Sequence, residues 1–117
     1  MNAAASPAGI TATFEMVVRA TGRQAGFLYL NSEADYRDPR NISIVVSGPI
    51  EKALAGRFHD GVERHLFRQT IAIRGTARKT RIDFLAKGRH TDKYYFQTHV
   101  VLRNASDLTV AGEPPAP

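Results

Sequence analysis

The chain has 117 residues, of which 43% are hydrophobic, and a formal net charge of +5 with no cysteine. This length and composition suit one globular domain with a modest core. They exclude a disulfide scaffold, thiolate chemistry and a helical membrane span, because no apolar run approaches about 18 residues. Without cysteine the compartment is undetermined, and a reducing, cytoplasmic location is the default expectation.

Both ends of the chain have the composition of disordered tails. Residues 1–10 contain neither a basic region nor a long apolar stretch, so a tail is favoured over a signal peptide. Residues 111–117 include three prolines, which remove backbone donors and resist helix and sheet. The predicted folded domain therefore covers residues 11–110.

The first half of the chain has the period of two that is typical of β-strands. Alternate positions of residues 14–20 are apolar, which predicts a half-buried first strand. Apolar runs at residues 27–30 and 42–46 predict the second and third strands. The eleven mostly polar residues between those runs, 31–41, form either a solvated connection or the place where the protein meets its partner.

The period then changes to that of a helix. Ile50, Leu54 and Phe58 are four residues apart and share one helical face. Gly61 is a plausible left-handed stop. Residues 62–67 either extend the helix or form a turn.

The second half of the chain returns to a period of two. Ile71, Ile73 and Gly75 share a face, and a glycine inside a strand predicts a bulge or a sharp bend. Residues 81–86 continue extended, 87–92 form a turn, and 93–103 form the last long strand. Residues 104–110 are expected to add at most a short terminal pairing.

The resulting element order is β-β-β-α-β-β. An all-β chain with one helix between strands three and four has the order of the OB-fold, a five-stranded Greek-key barrel. In that architecture the helix plugs one end of the barrel. A long basic β-ribbon, residues 78–92, joins the last two strands in place of a simple turn.

Three segments also resemble a group of bacterial OB-fold domains: TGRQAGFLYLNSEADYRDPRNISIVV, IAIRGTA and YYFQTHVVLRNASDLTV. The resemblance covers about residues 12–110, and the ribbon looks like an insertion relative to that group. Such domains are often taken to bind nucleic acid, so the resemblance implies an OB barrel and a nucleic-acid ligand.

Positive charge is concentrated at one place in the sequence. Residues 74–93 hold seven basic and two acidic residues, and the rest of the chain is balanced. OB-folds bind oligonucleotides on strands two and three and the neighbouring loops, where cations contact phosphates and aromatic rings stack on bases. The sequence therefore predicts a module that binds single-stranded DNA or RNA with low sequence specificity. The candidate residues are Arg23, Tyr29, Tyr36, Arg37, Arg40, Arg78, Lys79, Arg81, Lys87, Arg89, Lys93 and, at the far end of the ribbon, Tyr94 or Tyr95.

The alternative is a protein-interaction or oligomerisation module on the same fold. Tyrosines on small barrels often cap the core, and the ribbon carries the apolar residues Ile82, Phe84 and Leu85. A protruding ribbon does not expose such side chains freely, which suggests contact with a second copy of the chain through residues 78–92.

Enzyme chemistry is not predicted. His59 and Glu63 share a helical spacing with His65 nearby, but no third ligand stands at a recognised metal-site spacing. The acidic residues of segment 32–38 lack the glycine and the carboxylate spacing of a calcium loop. No catalytic, metal or cofactor site is therefore assigned.

Overall fold

A computed structural model describes residues 9–86 and 89–113 of the chain, with the backbone alone described for residues 81–86 and 89–95. Within these ranges the chain forms seven strands: β1 (Ile10–Val17), β2 (Ala20–Gln24), β3 (Phe27–Asn31), β4 (Ile42–Val46), β5 (Thr70–Ala86), β6 (Arg89–Val101) and β7 (Leu108–Val110). The same ranges contain the helices α1 (Gly48–Arg57) and α2 (Val62–Leu66) and a short 3-10 helix (Ala105–Asp107) before β7.

The strands form one sheet in the order β1-β5-β6-β4-β3-β2, and β7 pairs with β5 as well. The pairs are antiparallel except for β4 and β6, which run parallel. A chain that is mostly β-sheet with one main helix is thereby confirmed.

The prediction of a closed, five-stranded barrel is wrong in its details. Seven strands are present in the described ranges, and the path of ladders is open, with β1 and β2 at its two ends. The expected first strand is divided at two residues: the amide of Val18 donates to Gln69 O (3.0 Å), beside β5, and the amide of Arg19 donates to Asn31 O (2.9 Å), in β3. Since successive amides of an extended chain point to opposite edges, the chain changes partner here, and β1 and β2 cannot pair with each other across so short a link.

The hydrophobic core lies between one face of the sheet and the helices, which cover it. Leu28, Leu30 and Ile44 of the central strands are fully buried, as are Leu54 of α1 and Leu66 of α2. Each buried leucine or isoleucine stabilises the fold by about 1.5–3 kcal/mol relative to exposure. The strand alternation that buries these side chains leaves the residues between them on the outer face.

The predicted helix is confirmed, and residues 62–67 mostly form a second helix rather than extending the first. Helix α1 ends at Arg57, and Phe58 donates its amide to Leu54 O (2.9 Å). Gly61 has a φ of 103°, a conformation that favours glycine, and it begins the turn into α2. None of the helices in the described ranges is both long enough and apolar enough to cross a membrane.

Gly75 allows the Val100 side chain to pack closely against the backbone and does not mark a bulge. The pairing of β5 with β1 is continuous through Gly75 opposite Ala12. A Cβ atom at this position would lie 2.8 Å from Cγ1 of Val100, so only glycine fits beside that side chain. The shift in register occurs further along β5, between Asp83 and Leu85.

The last two long strands extend together beyond the sheet. The ladder of β5 with β6 continues from Ala77 opposite Val100 to Ala86 opposite Arg89. Of the predicted tails, residues 1–8 and 114–117 lie outside the described residues. Of the described tail residues, Ile10 begins β1, and the amide of Ala111 donates to Thr70 O (2.9 Å).

Candidate functional site

A cleft of about 410 Å³ lies over the outer side of β2, β3, β4 and β6. Leu28 and Leu30 point into the core, so the alternating residues Tyr29 and Asn31 point outwards, towards the cleft. The loop between β3 and β4 forms one wall. Side chains that line the cleft include Arg23, Tyr29, Asn31, Tyr36, Ser43 and His99.

Four outward residues form a row across the strands. Asn31 is paired with Ser43, Ser43 with His99, and His99 with Arg78. Directly paired residues lie on the same face of a sheet, and neighbouring strands are about 4.8 Å apart. The row therefore begins inside the cleft and ends beside it at Arg78, an exposed cation with no carboxylate partner in the described part of the chain.

Lys79 follows Arg78 and lies on the opposite face of the ladder. Its Nζ atom is 5.0 Å from the centre of the Phe96 ring, a cation–π distance. The structure thus places Lys79 away from the cleft, although the sequence grouped it with Arg78.

The floor of the cleft is a buried hydrogen-bonded network of amide and hydroxyl groups. Asn41 Nδ2 donates to Ser43 Oγ (3.0 Å) and to Asn31 Oδ1 (3.3 Å), and Ser43 Oγ donates to Asn31 Oδ1 (2.6 Å). The exposed fractions of Asn31, Asn41 and Ser43 are 6%, 2% and 2%. Buried polar groups that are joined in this way hold a rigid arrangement.

His99 supplies a half-buried imidazole to the same cleft. Its Nε2 lies 2.8 Å from Gln97 Oε1, and its ring centroid is 6.0 Å from that of Tyr29 at an angle of 59°. Burial lowers the pKa of His99, because the charged form loses its hydration. The ring is therefore neutral near pH 7.

Arg23 lines the cleft but is held by two carboxylates from the helices. It donates to Glu51 Oε1 of α1 (2.8 Å) and to Glu63 Oε1 of α2 (2.7 Å), and Thr21 Oγ1 donates to Glu63 Oε2 (2.9 Å). The hydrogen bond to Glu51 raises the pKa of Arg23 most, despite the opposing effect of desolvation, and the bond to Glu63 adds to it. Arg23 thus joins β2 to both helices, and its charge is already balanced.

The loop arginines are also paired, each with the aspartate two residues before it. Asp35 Oδ1 accepts the amide of Arg37 (2.9 Å) and its Nε (3.3 Å), and Asp38 accepts the amide of Arg40 (2.9 Å) and its side chain (2.9 Å to Oδ2). These bonds lower the pKa of both aspartates. Tyr36, in contrast, has an exposed fraction of 52% and faces the cleft.

Of the predicted residues, three meet in the cleft and one lies beside it. Tyr29, Tyr36 and Arg23 line it, and Arg78 is the next residue along the row. Lys87 lies outside the described residues, and for the remaining candidates on the ribbon the side chains lie outside the described part: Arg81, Arg89, Lys93, Tyr94 and Tyr95.

Sequence reasoning missed the polar floor. Asn31, Asn41, Ser43 and His99 are uncharged near pH 7, whereas the predicted site residues were all cations or tyrosines. A signal was nevertheless present, because the period of two already places Ser43 and His99 on the faces opposite to the buried Ile44 and Val100.

Of the groups considered as metal ligands, Glu63 and His65 have other partners. His65 lies between Asp60 (Nδ1 to Oδ1, 2.8 Å) and Glu113 (Nε2 to Oε2, 2.8 Å) and stacks on Phe58. In the described residues no three ligand-type side chains are grouped so as to hold a metal ion.

No family model matches the chain, and comparison with curated proteins and with solved structures finds no match either.

Proposed function

We propose that the protein binds single-stranded nucleic acid across the cleft, with the outer side of β3, β4 and β6 as the contact surface. One observation carries the proposal: Arg23 of β2, Tyr29 of β3 and Tyr36 of the following loop line one concave surface, and the row from Asn31 leads from it to Arg78. Aromatic faces stack on bases, and the cation beside them contacts a phosphate.

The topology supports an OB-type relationship. If β1 and β2 are counted as the halves of one bent strand divided at Val18 and Arg19, the ladders follow the order 1-4-5-3-2, with α1 between the third and fourth strands. This is the order of the OB-fold, in which oligonucleotides lie on the face of strands two and three. In this correspondence β3 and β4 are the counterparts of strands two and three, and residues of both line the cleft.

The charge balance indicates moderate affinity with a moderate salt dependence. Arg23, Arg37 and Arg40 are hydrogen-bonded to carboxylates, so they release few counterions on binding. Each phosphate contact on a single strand contributes a slope of about −0.7 to the plot of log affinity against log salt. With Arg78 as the unpaired cation nearest the cleft, we expect a slope of about −0.7 from its phosphate contact among the described residues.

The test is fluorescence anisotropy with a labelled thymidine 15-mer at two salt concentrations. Tyr36→Ala removes an exposed ring from the cleft, and stacking is worth about 1–3 kcal/mol per base, so affinity should fall about fivefold or more. Phe67→Ala is the matched control, because Phe67 is similarly exposed (42%) and does not line the cleft. No binding at low salt, or an equal loss for both variants, would refute the proposal.

Self-association is the second candidate, and the ladder pattern favours it. Beyond the pairs Ile10 with Ala77 and Ile42 with Thr98, the described parts of β5 and β6 pair only with each other. The resulting ribbon has open edges on both sides, and Phe96 at its base has an exposed fraction of 46%. Open edges invite pairing with another chain.

Light scattering after size exclusion separates the two candidates. A dimer that Phe96→Asp dissociates would support self-association. A monomer at micromolar concentration that binds the 15-mer would support the nucleic-acid function alone.

A further inference from the structure

The orientation of the Asn31 side-chain amide is fixed by backbone groups through Asn41. The amide of Glu33 donates to Asn41 Oδ1 (3.1 Å), and Asn41 Nδ2 donates to Tyr36 O (3.3 Å). A backbone N–H can only donate and a carbonyl can only accept, so the two ends of the Asn41 amide are assigned. Asn41 and Ser43 then both donate to Asn31 Oδ1. The oxygen of Asn31 is therefore directed into the network.

The Nδ2 group of Asn31 is left as a donor towards the cleft. No acceptor in the described structure pairs with it, and Asn31 is not among the residues that have further contacts. No fully buried side-chain nitrogen or oxygen atom in the described part lacks a partner. Nδ2 therefore keeps contact with solvent, and the solvent-filled space that Asn31 lines is the cleft.

We infer that Asn31 makes the cleft select bases that carry a ring carbonyl, namely thymine or uracil, cytosine and guanine, over adenine. This inference rests on the proposed function. Asn31 is 94% buried, so its donor is recessed, and only a group that projects from the ring edge reaches it. A carbonyl oxygen projects and accepts. The projecting group of adenine is an amine. This amine and Asn31 Nδ2 are both donors, so adenine would leave Nδ2 desolvated without a partner.

The experiment compares three labelled 15-mers by anisotropy at one low salt concentration. They are oligothymidine, oligodeoxyadenosine, and the adenine oligomer with hypoxanthine at every third position. Hypoxanthine keeps the purine ring and replaces the amine by a carbonyl, so stacking is nearly unchanged. One hydrogen bond corresponds to about a three- to tenfold difference in affinity. We expect oligothymidine to bind more tightly than oligodeoxyadenosine by about that factor, and hypoxanthine to recover much of the difference.

Asn31→Asp tests the residue itself. A carboxylate still accepts from Asn41 and Ser43, but it turns the cleft-facing donor into an acceptor. We expect the ratio of thymine to adenine affinity to fall to one or below. Gln24→Glu is the matched control, since it adds the same charge to the cleft wall and leaves Asn31 intact. It should weaken binding of all three oligomers and preserve their ratio.

The outcomes separate the inference from the function on which it rests. Binding of all three 15-mers with equal affinity overturns the selection by Asn31 and leaves the proposed function standing. No binding of any overturns both. The adenine and hypoxanthine comparison uses the unaltered protein, so it decides the inference even if Asn31→Asp does not fold.

Discussion

The loop between β3 and β4 and the strand β5 both carry basic residues, but they differ in whether those residues are paired with carboxylates. Arg37 and Arg40 of the loop are each hydrogen-bonded to an aspartate two residues before them, whereas Arg78 of β5 has no carboxylate partner in the described structure. A paired arginine must release its partner before it can bind a phosphate. We therefore expect the unpaired fraction of the charge, rather than its total, to determine where an anion binds.

The largest expected effect is a difference in affinity loss between a variant in β5 and a variant in the loop. Arg78→Gln removes the unpaired cation beside the cleft and should lower affinity for a thymidine 15-mer about tenfold at 50 mM salt, because one phosphate contact is lost. Arg40→Gln is the matched loop variant and should change affinity less than twofold. Anisotropy measures both. Equal losses of affinity for the two variants would contradict the distinction between paired and unpaired arginines.

Releasing a loop arginine should have a smaller effect of the opposite sign. Asp38→Asn keeps the oxygen that accepts the amide of Arg40, so the turn is preserved, but removes the charge that holds the guanidinium. We expect affinity to rise about two- to fivefold and the salt dependence to steepen by up to about 0.7. Combining Asp38→Asn with Arg40→Gln should cancel the gain. An unchanged salt slope for Asp38→Asn would show that Arg40 does not reach the nucleic acid.

Arg23 contrasts with Arg78 in another way, since its role is to join elements of the fold. Arg23→Gln and Glu51→Gln should each lower the urea midpoint by a few tenths of a molar, as is typical of exposed pairs. The double variant should lose less than the sum, because both changes break the same bond. Equilibrium unfolding by urea measures this. Strictly additive losses would mean that the ion pair does not contribute to stability.

The local features of the fold could be predicted from the sequence. The period of two located the strands around Leu28, Ile44 and Ile73, and the four-residue spacing of Leu54 and Phe58 located α1, because these patterns directly reflect which side chains are buried. The division of the first strand at Val18 could not be predicted. It arises where the chain changes hydrogen-bonding partner from the β5 side to β3. The partner of Val18, Gln69, is 51 residues away in sequence, so the point of change is not visible in the local pattern.

The same distinction between local partners and partners distant in sequence holds for the candidate site. The partners of Arg37 and Arg40 are local, so the repeated pattern of aspartate followed two residues later by arginine contained the information that these charges are paired. The partners of Arg23 are 28 and 40 residues away, and only the packing of α1 and α2 against β2 brings them together. The network around Asn31 likewise depends on register between strands.

Two of the histidines, His65 and His99, differ in their partners, since His65 contacts two carboxylates and His99 contacts the neutral amide of Gln97, and we expect small, opposite pH effects from them. Burial lowers the pKa of His65, but hydrogen bonds to Asp60 and Glu113 outweigh it and raise the pKa above the ordinary 6.5. His65 therefore adds stability that is complete below pH 6.5 and is lost as pH rises through its folded pKa. Burial alone lowers the pKa of His99, so its contribution is present above pH 6.5 and is lost as pH falls.

Urea unfolding between pH 5 and pH 8 measures both contributions, and we expect that of His65 to be small because its ion pairs are screened by solvent. His65→Gln should destabilise the protein more at pH 6 than at pH 8, because only the charged ring donates from both nitrogens to two carboxylates. His99→Gln should flatten the loss of stability below pH 6.5, since its side chain no longer takes up a proton on unfolding. Glu113→Gln replaces one of the two carboxylate partners of His65 by a neutral amide and should give part of the effect of His65→Gln. If both histidine variants shifted the pH profile in the same direction, the distinction between a ring held by carboxylates and a ring held by a neutral amide would be wrong.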